Sequence, residues 1–184
     1  NGSTDKSLDK IKNHTIYKNN SIMLVEIKKN LGYGHGIMTG VNRSTGEYIS
    51  WCHADLQNNL NDVYDAYEKN FDQLEKSKTI LKGRRISRNI LDNFFTFGMS
   101  ILVSFLFKCK LTDINAQPKI FPRKFLTLLK DPPVDFSLDL YLLLIAKFNN
   151  YNVIEHPIVV HKRTAGTAKG GGTLTGKWKL IKRT

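Results

Sequence analysis

Cysteine is scarce in this chain, which has only two among its 184 residues. Cys52 and Cys109 form neither a metal-ligand spacing nor a disulfide framework. The first residues also lack the pattern of a secretory signal peptide, with its charged start and apolar stretch. These absences favour a reducing compartment, and we therefore expect the protein in the cytoplasm.

Long hydrophobic runs are lacking as well. The uncharged stretch at residues 93–107 is too short for a comfortable transmembrane helix. A buried helix is the interpretation we favour for it. The alternative is a helix that lies against a bilayer, with Lys108 and Lys110 near anionic headgroups. That alternative predicts peripheral contact at the cytoplasmic face of a membrane.

Acidic residues are few, with 16 Asp and Glu against 28 Lys and Arg, which gives a net charge of +12. Such an excess favours phosphorylated substrates, anionic membrane surfaces or polyanions. Aromatic residues are not interleaved with the basic run at residues 82–88 in the manner of a stacking platform, and no nucleic-acid motif is present. We therefore expect no nucleic-acid partner.

Internal repeats and interdomain linkers are also absent. Hydrophobic residues make up 41% of the chain and charged residues 24%, which is typical of a globular domain. The length suffices for one α/β domain with a sizeable core. We predict a single domain over residues 1–184, of which residues 161–184 form a basic loop and C-terminal segment.

Three polar side chains follow an apolar run near the middle of the first half. Residues 48–52 have the composition of a buried strand, and His53, Asp55 and Gln57 then occupy every second position. They share one face if the backbone stays extended. Open α/β sheets bind ligands at the carboxyl ends of their strands, and oxygen ligands there suit a divalent cation that holds a diphosphate. The alternative is a polar strand end that caps the next helix.

The remaining patterns predict the other elements. We expect strands at residues 21–27, 79–81 and 153–160, the last near a sheet edge because it contains Pro157. An amphipathic helix is predicted at residues 61–76 and a buried helix at residues 138–148. The glycine-rich run at residues 30–36 indicates a close-packed helix start. The cations at residues 82–88 either meet phosphates or form a solvated charge run.

Six short segments, taken in order, resemble the motifs of family 2 glycosyltransferases, in the dolichol-phosphate-mannose-synthase-like branch. Residues 1–5 look like the end of an Asp-Asp-Gly-Ser-Thr-Asp motif, and residues 30–34 like an Asn-x-Gly-x-Gly turn. Residues 53–57 resemble Asp-Ala-Asp-Leu-Gln, and residues 83–84 part of a Gly-Ser-Arg segment. Residues 113–123 and 163–169 are similar to the family's later Asp-to-Arg and Arg-to-Lys stretches.

The resemblance implies an α/β fold of the GT-A type, with a mixed, mostly parallel sheet flanked by helices. It also implies that the family's first βα unit is missing before Asn1, so that the chain is an N-terminally truncated fragment. The implied reaction moves a sugar from a nucleotide-sugar donor to a polyprenyl-phosphate or glycan acceptor. A divalent cation, Mn²⁺ or Mg²⁺, would assist it.

The same resemblance assigns roles to individual residues. Metal binding would fall to Asp55 and Gln57, and Asp113 would be the general base if the acceptor is a sugar hydroxyl; the alternative for Asp113 is a carboxylate that caps a turn. The resemblance implies donor binding by Asp5, Asn30, Gly34, His53, Asp55 and Arg84. It implies acceptor binding by Arg123, Arg163 and Lys169.

One departure from the family pattern concerns the metal. His53 stands where the motif has its first acid, and a neutral imidazole is a poorer ligand for Mg²⁺ than for Mn²⁺. The site then prefers Mn²⁺, holds a metal weakly, or uses His53 only to touch the donor. The alternative function is a catalytically degenerate, glycosyltransferase-like peripheral membrane protein.

Overall fold

The computed structural model describes residues 1–19, 22–54, 57, 59–76, 78–86 and 90–161, with backbone only for residues 90–92. A four-stranded sheet lies at its centre. The strands are β1 (Tyr48–Trp51), β2 (Thr79–Ile86), β3 (Lys119–Pro122) and β4 (Asn152–Val159). Their order across the sheet is β1-β3-β2-β4.

The sheet is mixed, as predicted, but two of its three pairings are antiparallel. β3 runs antiparallel to both β1 and β2, whereas β2 and β4 are parallel. Three strands therefore point the same way and β3 opposes them. Trp51, at the end of β1, pairs with Lys119, at the start of β3, and Lys119 also pairs with Lys82. We call the carboxyl ends of β1 and β2, together with the start of β3, the carboxyl edge.

Seven helices and one 3₁₀ turn accompany the sheet in the part of the chain that is described. The 3₁₀ turn spans Arg123–Leu128. The helices are α1 (Ser7–Asn13), α2 (Thr15–Lys18), α3 (Tyr33–Arg43), α4 (Asn61–Lys69), α5 (Phe71–Lys76), α6 (Ile90–Leu106) and α7 (Leu138–Phe148).

Helices cover both faces of the sheet because successive strand residues point to opposite sides. Ile80 belongs to the larger apolar cluster, which includes most of α7, and Leu81 belongs to a smaller one with Ala66 of α4 and Leu74 of α5. Seven of the eleven residues of α7 are buried, so the prediction of a buried helix there is confirmed. The predicted edge position of the strand with Pro157 is also confirmed.

Two predicted elements differ from the structure. Residues 22–27 lie outside the sheet, because an apolar run makes a strand only where a neighbouring strand pairs with it. Ile27 instead accepts a backbone hydrogen bond from Gly2 N at 2.7 Å. The helix predicted at residues 61–76 is divided at Asn70, whose Nδ2 donates to the carbonyl oxygen of Ala66 at 2.8 Å and so ends α4.

The interpretation of residues 93–107 as a buried helix is wrong. In α6, Ser100 and Val103 are buried, but Phe97 is 66% exposed and Phe105 is 81% exposed. The other exposed apolar side chains of this helix are Phe94, Ile101, Leu102 and Leu106. Most side chains of the helix are apolar, but its neighbours bury only Ser100 and Val103 among residues 93–106. Of the helices described, none has the length and apolar character needed to cross a membrane.

Candidate functional site

The glycine turn and the polar end of β1 come together at the carboxyl edge. His53 follows β1 by two residues, and Tyr33 is the first residue of α3. The centroids of their rings lie 6.4 Å apart. The structure therefore places His53 beside the turn that contains Asn30 and Gly34. Asp55 lies outside the described residues.

Asn30 and Gly34 shape the turn in a close-packed helix start, as the local interpretation predicts. Asn30 Oδ1 accepts a hydrogen bond from Gly32 N at 3.0 Å, and Asn1 Nδ2 donates to Gly32 O at 2.8 Å. A Cβ atom on Gly34 would overlap the carbonyl oxygen of Pro133. Glycine is required there because the start of α3 lies directly against that segment.

Asp139 joins several elements beneath this turn, and sequence reasoning missed it. Its two carboxylate oxygens accept hydrogen bonds from Tyr33 Oη (3.0 Å), Gln117 Nε2 (3.0 Å) and Trp51 Nε1 (3.3 Å). Lys119 Nζ completes the set at 3.1 Å. The carboxylate thereby links α3, β1, β3 and α7. A single acid in an otherwise apolar helix was the available signal.

Burial governs the ionisation of the groups around Asp139. Tyr33 has a pKa above its usual value, because burial and then the charge of Asp139 both disfavour the phenolate. Burial also lowers the pKa of Lys119, and the nearby Asp139 opposes that shift only in part. The neutral phenol therefore remains a donor to Asp139 and keeps the start of α3 fixed to the sheet.

Asp113 lies at the carboxyl edge in an ion pair with Arg85. Arg85 N and Nε donate to its two oxygens at 2.8 Å each, and a third bond comes from the guanidinium NH2. Burial alone raises the pKa of Asp113, but the hydrogen bonds and charge of Arg85 outweigh it and hold that pKa below its usual value. The carboxylate is thus ionised and held by Arg85.

Arg84 has different surroundings from Arg85. Its side chain is 56% exposed, and its Nε lies 3.7 Å from Glu155 Oε2. The other oxygen of Glu155 is 2.8 Å from Nζ of Lys82, which is almost fully buried. Because Glu155 already compensates Lys82, Arg84 is the cation of this group that can meet an additional anion.

A cavity of about 520 Å³ lies between α6 and the end of β2. Its lining contains the cations of Arg84, Arg85 and Lys110 and the carboxylate of Asp113. Helix α6 contributes the apolar side chains of Phe97 and Ile101, beside the polar residues Asn93, Thr96, Ser100 and Ser104. One molecule with an anionic group and an apolar body would match both parts of this lining.

Gln57 connects the polar segment after β1 to the end of β4. His161 N donates to Gln57 O at 2.8 Å, and Gln57 Nε2 lies 3.4 Å from His161 O. Among the residues that the structure describes, no group of three or more His, Cys, Asp or Glu side chains could hold a metal ion. His53 and Gln57 flank Asp55, and an imidazole, a carboxylate and an amide oxygen form a donor set that Mn²⁺ accepts.

Two further predicted residues, Arg123 and Asp5, have structural partners of their own. Arg123 follows β3 at the opposite end of the strand, where its guanidinium donates to Gly46 O at 2.7 Å and Ser44 Oγ at 3.1 Å. It fixes a loop there, so the expected acceptor role is not supported by its position. Asp5 accepts a hydrogen bond from Ser7 N at the start of α1. Arg163 and Lys169 lie outside the described residues.

Comparisons with known proteins agree with this geometry. Residues 1–122 match the model of the family named Glycosyl transferase family 2. Glucosyl-3-phosphoglycerate synthase from Mycobacterium tuberculosis, in complex with phosphoglyceric acid, is similar in structure, with a TM-score of 0.64 and 14% sequence identity. The similarity covers 98% of this chain and 63% of that one.

A second structure of that enzyme, with Mn²⁺, UDP-glucose and phosphoglyceric acid, gives a TM-score of 0.63 and 12% identity. It covers 100% of this chain and 67% of that one, so the chain spans about two thirds of the length of these neighbours. The mixed sheet with helices on both faces is the predicted GT-A type of fold, which these neighbours confirm. The chain belongs to glycosyl transferase family 2.

Proposed function

We propose that the protein transfers a hexose from a nucleotide-sugar to a polyprenyl-phosphate acceptor, with the help of a divalent cation. The observation that carries this proposal is the cavity between α6 and β2, whose lining combines the cation of Lys110 with the apolar side chains of Phe97 and Ile101. A phosphate on a long isoprenoid chain fits both parts, whereas a glycan would leave the apolar side chains unused. A glycan acceptor is the second possibility.

The donor's diphosphate would lie at the carboxyl edge between His53 and Arg84. Negative charge grows on the leaving nucleoside diphosphate during transfer, and a guanidinium can stabilise it with two hydrogen bonds at once. Arg84 is exposed enough to do so, while Arg85 is held by Asp113. Asn30 and Gly34 would act indirectly, by fixing the turn beside His53.

Asp55 and Gln57 would hold the cation, and His53 would either complete the set or touch the donor. A bound Mn²⁺ or Mg²⁺ supplies a Lewis acid that stabilises the leaving diphosphate. A structural neighbour was solved with Mn²⁺ and UDP-glucose, which supports Mn²⁺ as the first ion to test.

Arg163 and Lys169 would hold the acceptor phosphate. His161 lies two residues before Arg163 and is hydrogen-bonded to Gln57. The segment with Arg163 and Lys169 therefore follows a residue that contacts one of the proposed metal ligands. A lipid phosphate is already ionised near pH 7 and needs little help from a base. Asp113 would be the base only for a sugar hydroxyl, and at least one of its hydrogen bonds from Arg85 would then have to break.

The exposed face of α6 would contact the cytoplasmic face of a membrane, where a polyprenyl phosphate resides. Phe94, Phe97 and Phe105 are large, apolar and exposed, and Lys108 and Lys110 follow the helix. Aromatic and aliphatic side chains enter the interface of a bilayer, and lysines beside them attract anionic headgroups.

The test incubates the protein with a panel of nucleotide-sugars and polyprenyl phosphate, and identifies lipid-linked products by mass spectrometry. We expect a hexosyl lipid in Mn²⁺, an equal or smaller yield in Mg²⁺, and none in excess EDTA. Asp55→Asn should lose transfer and keep its thermal unfolding midpoint. Full turnover in EDTA would refute the metal role, and donor binding without any transfer would favour the catalytically degenerate alternative.

A further inference from the structure

An aromatic pair beside His53 has no part in the phosphate chemistry proposed above. Tyr33 and Phe136 stack with their ring centroids 4.9 Å apart and their planes at 17°. The Tyr33 ring also lies 6.4 Å from the ring of His53. Phe136 remains 39% exposed although one of its faces covers Tyr33. The rest of its ring is therefore open to solvent, next to the tyrosine that contacts His53.

Contacts on both sides fix this pair in place. Tyr33 Oη donates to Asp139 Oδ2 at 3.0 Å, and this hydrogen bond fixes the Tyr33 ring to α7. The segment before Phe136 is held by a hydrogen bond from His35 N to Val134 O at 3.1 Å, and Gly34 allows the close approach. A ligand that stacks on a ring already fixed loses little side-chain entropy of the protein.

Asp135 precedes Phe136 in the chain, and its negative charge favours some ligand groups near this pair over others. Asp135 Oδ1 accepts hydrogen bonds from Ser137 N at 3.0 Å and Ser137 Oγ at 2.6 Å, so its carboxylate has a fixed position. A carboxylate repels a phosphate and accepts hydrogen bonds from hydroxyl groups. A pyranose ring has hydroxyl groups at its rim and C–H bonds on its face, and those hydrogens suit the electron-rich face of a phenyl ring.

We infer that Phe136, supported by Tyr33, is the platform on which the donor's hexose ring stacks. The inference rests on the proposed function, since it requires a nucleotide-sugar whose diphosphate lies near His53 and Arg84. Phe136 then contributes to the choice of the transferred sugar. It does not contribute to the binding of the nucleotide.

Calorimetry with two ligands separates these contributions. The dissociation constants of UDP-glucose and of UDP alone are measured in Mn²⁺ for the natural protein and for Phe136→Ala. We expect Phe136→Ala to weaken UDP-glucose binding by about fivefold to tenfold and UDP binding by less than about twofold. Phe136→Tyr keeps the ring and should keep the affinity for UDP-glucose, whereas Phe136→Leu should lose it. Phe148→Ala, an exposed phenylalanine at the end of α7, is the matched control and should change neither constant.

Three results would overturn the inference while leaving the proposed function intact. They are equal weakening of UDP and UDP-glucose, an unchanged affinity for UDP-glucose in Phe136→Ala, and full affinity in Phe136→Leu. Thermal unfolding of each variant identifies any loss of affinity that is caused by misfolding. If Phe136→Ala misfolds, the affinity of Phe136→Tyr for UDP-glucose tests the inference. If the natural protein binds none of a panel of nucleotide-sugars, the proposed function fails and this inference fails with it.

Discussion

Arg84 and Arg85 are neighbours in β2, but they meet different partners. Arg85 is held by the buried carboxylate of Asp113, and Arg84 is more than half exposed. Arg85→Ala would leave a buried charge without its partner, which costs roughly 3–5 kcal/mol of the free energy of unfolding. Arg84→Ala should leave that free energy nearly unchanged.

Donor binding should depend on Arg84 and stability on Arg85. Arg84→Ala should weaken donor binding about tenfold, because it removes a charge-assisted bond to the diphosphate. Urea denaturation measures the stability and calorimetry the donor binding. If Arg84→Ala lowers stability as much as Arg85→Ala, the two side chains share one structural role and the assignment of Arg84 to the donor is wrong.

Stability should also depend on pH through Asp113 and Glu155, whose pKa values lie below their usual ones. In both cases burial alone would raise the pKa. Arg85 outweighs this effect on the pKa of Asp113, and Lys82, together with a hydrogen bond from Thr112, outweighs it on the pKa of Glu155. Their contribution to stability is complete above the unfolded pKa values near 4 and is lost as pH falls through the lower, folded values. The urea midpoint should therefore fall as the pH drops from about 4 to about 2, and Asp113→Asn should reduce that fall. An unchanged midpoint over this interval would contradict the expectation.

The short motifs of the candidate site are visible in the sequence, but the distant side chains that hold them are not. His53, Asn30 and Gly34 belong to short segments whose spacing is visible in the sequence, and the structure brings them to one edge. The link between Tyr33 and Asp139 joins residues 106 positions apart, and the link between Arg85 and Asp113 joins residues 28 apart. No periodicity encodes which distant acid meets which donor, because that depends on how the strands and helices pack.

At the scale of elements, α6 also shows that contacts between distant parts of the chain are not predictable from local sequence. Its apolar composition predicts a helix correctly, but composition does not determine whether the rest of the protein or a lipid bilayer covers that helix. The division of the predicted helix at Asn70 is a related case, because a side-chain bond to the preceding turn overrides the apolar pattern. The order of the strands was not predicted, since pairing is a property of the whole sheet.

The exposed face of α6 should bind lipid directly. Replacing Phe97 and Phe105 by Ser removes two large exposed rings and should reduce sedimentation with anionic liposomes at least fivefold. Stability should change little because both rings are already exposed. Phe148→Ser, on the exposed end of α7, is the control and should sediment like the natural protein. Equal sedimentation of all three would place lipid contact elsewhere.

For the whole molecule, the charge distribution predicts a second, salt-sensitive component of membrane binding. Residues 173–184 contain four Lys or Arg and no acid, so their removal lowers the net charge from +12 to +8. Surface attraction is worth about 1 kcal/mol per cation near an anionic bilayer and is screened by salt. The shortened protein should sediment less at low salt and equally at high salt. A loss that persists at high salt would indicate an apolar contact from the removed segment.

The pairing of β2 with β4 determines when the site is assembled during synthesis. Gln57 obtains its partner His161 only after 104 further residues, and the parallel pairing of β2 also waits for residues 152–159. On the ribosome, the nascent chain therefore carries His53 and the arginines of β2 before the strand that holds them in place exists. Until β4 arrives, one edge of β2 lacks its strand and can pair with another chain. We therefore expect chaperones that bind exposed strands to associate with this protein until residues 152–159 have emerged from the ribosome.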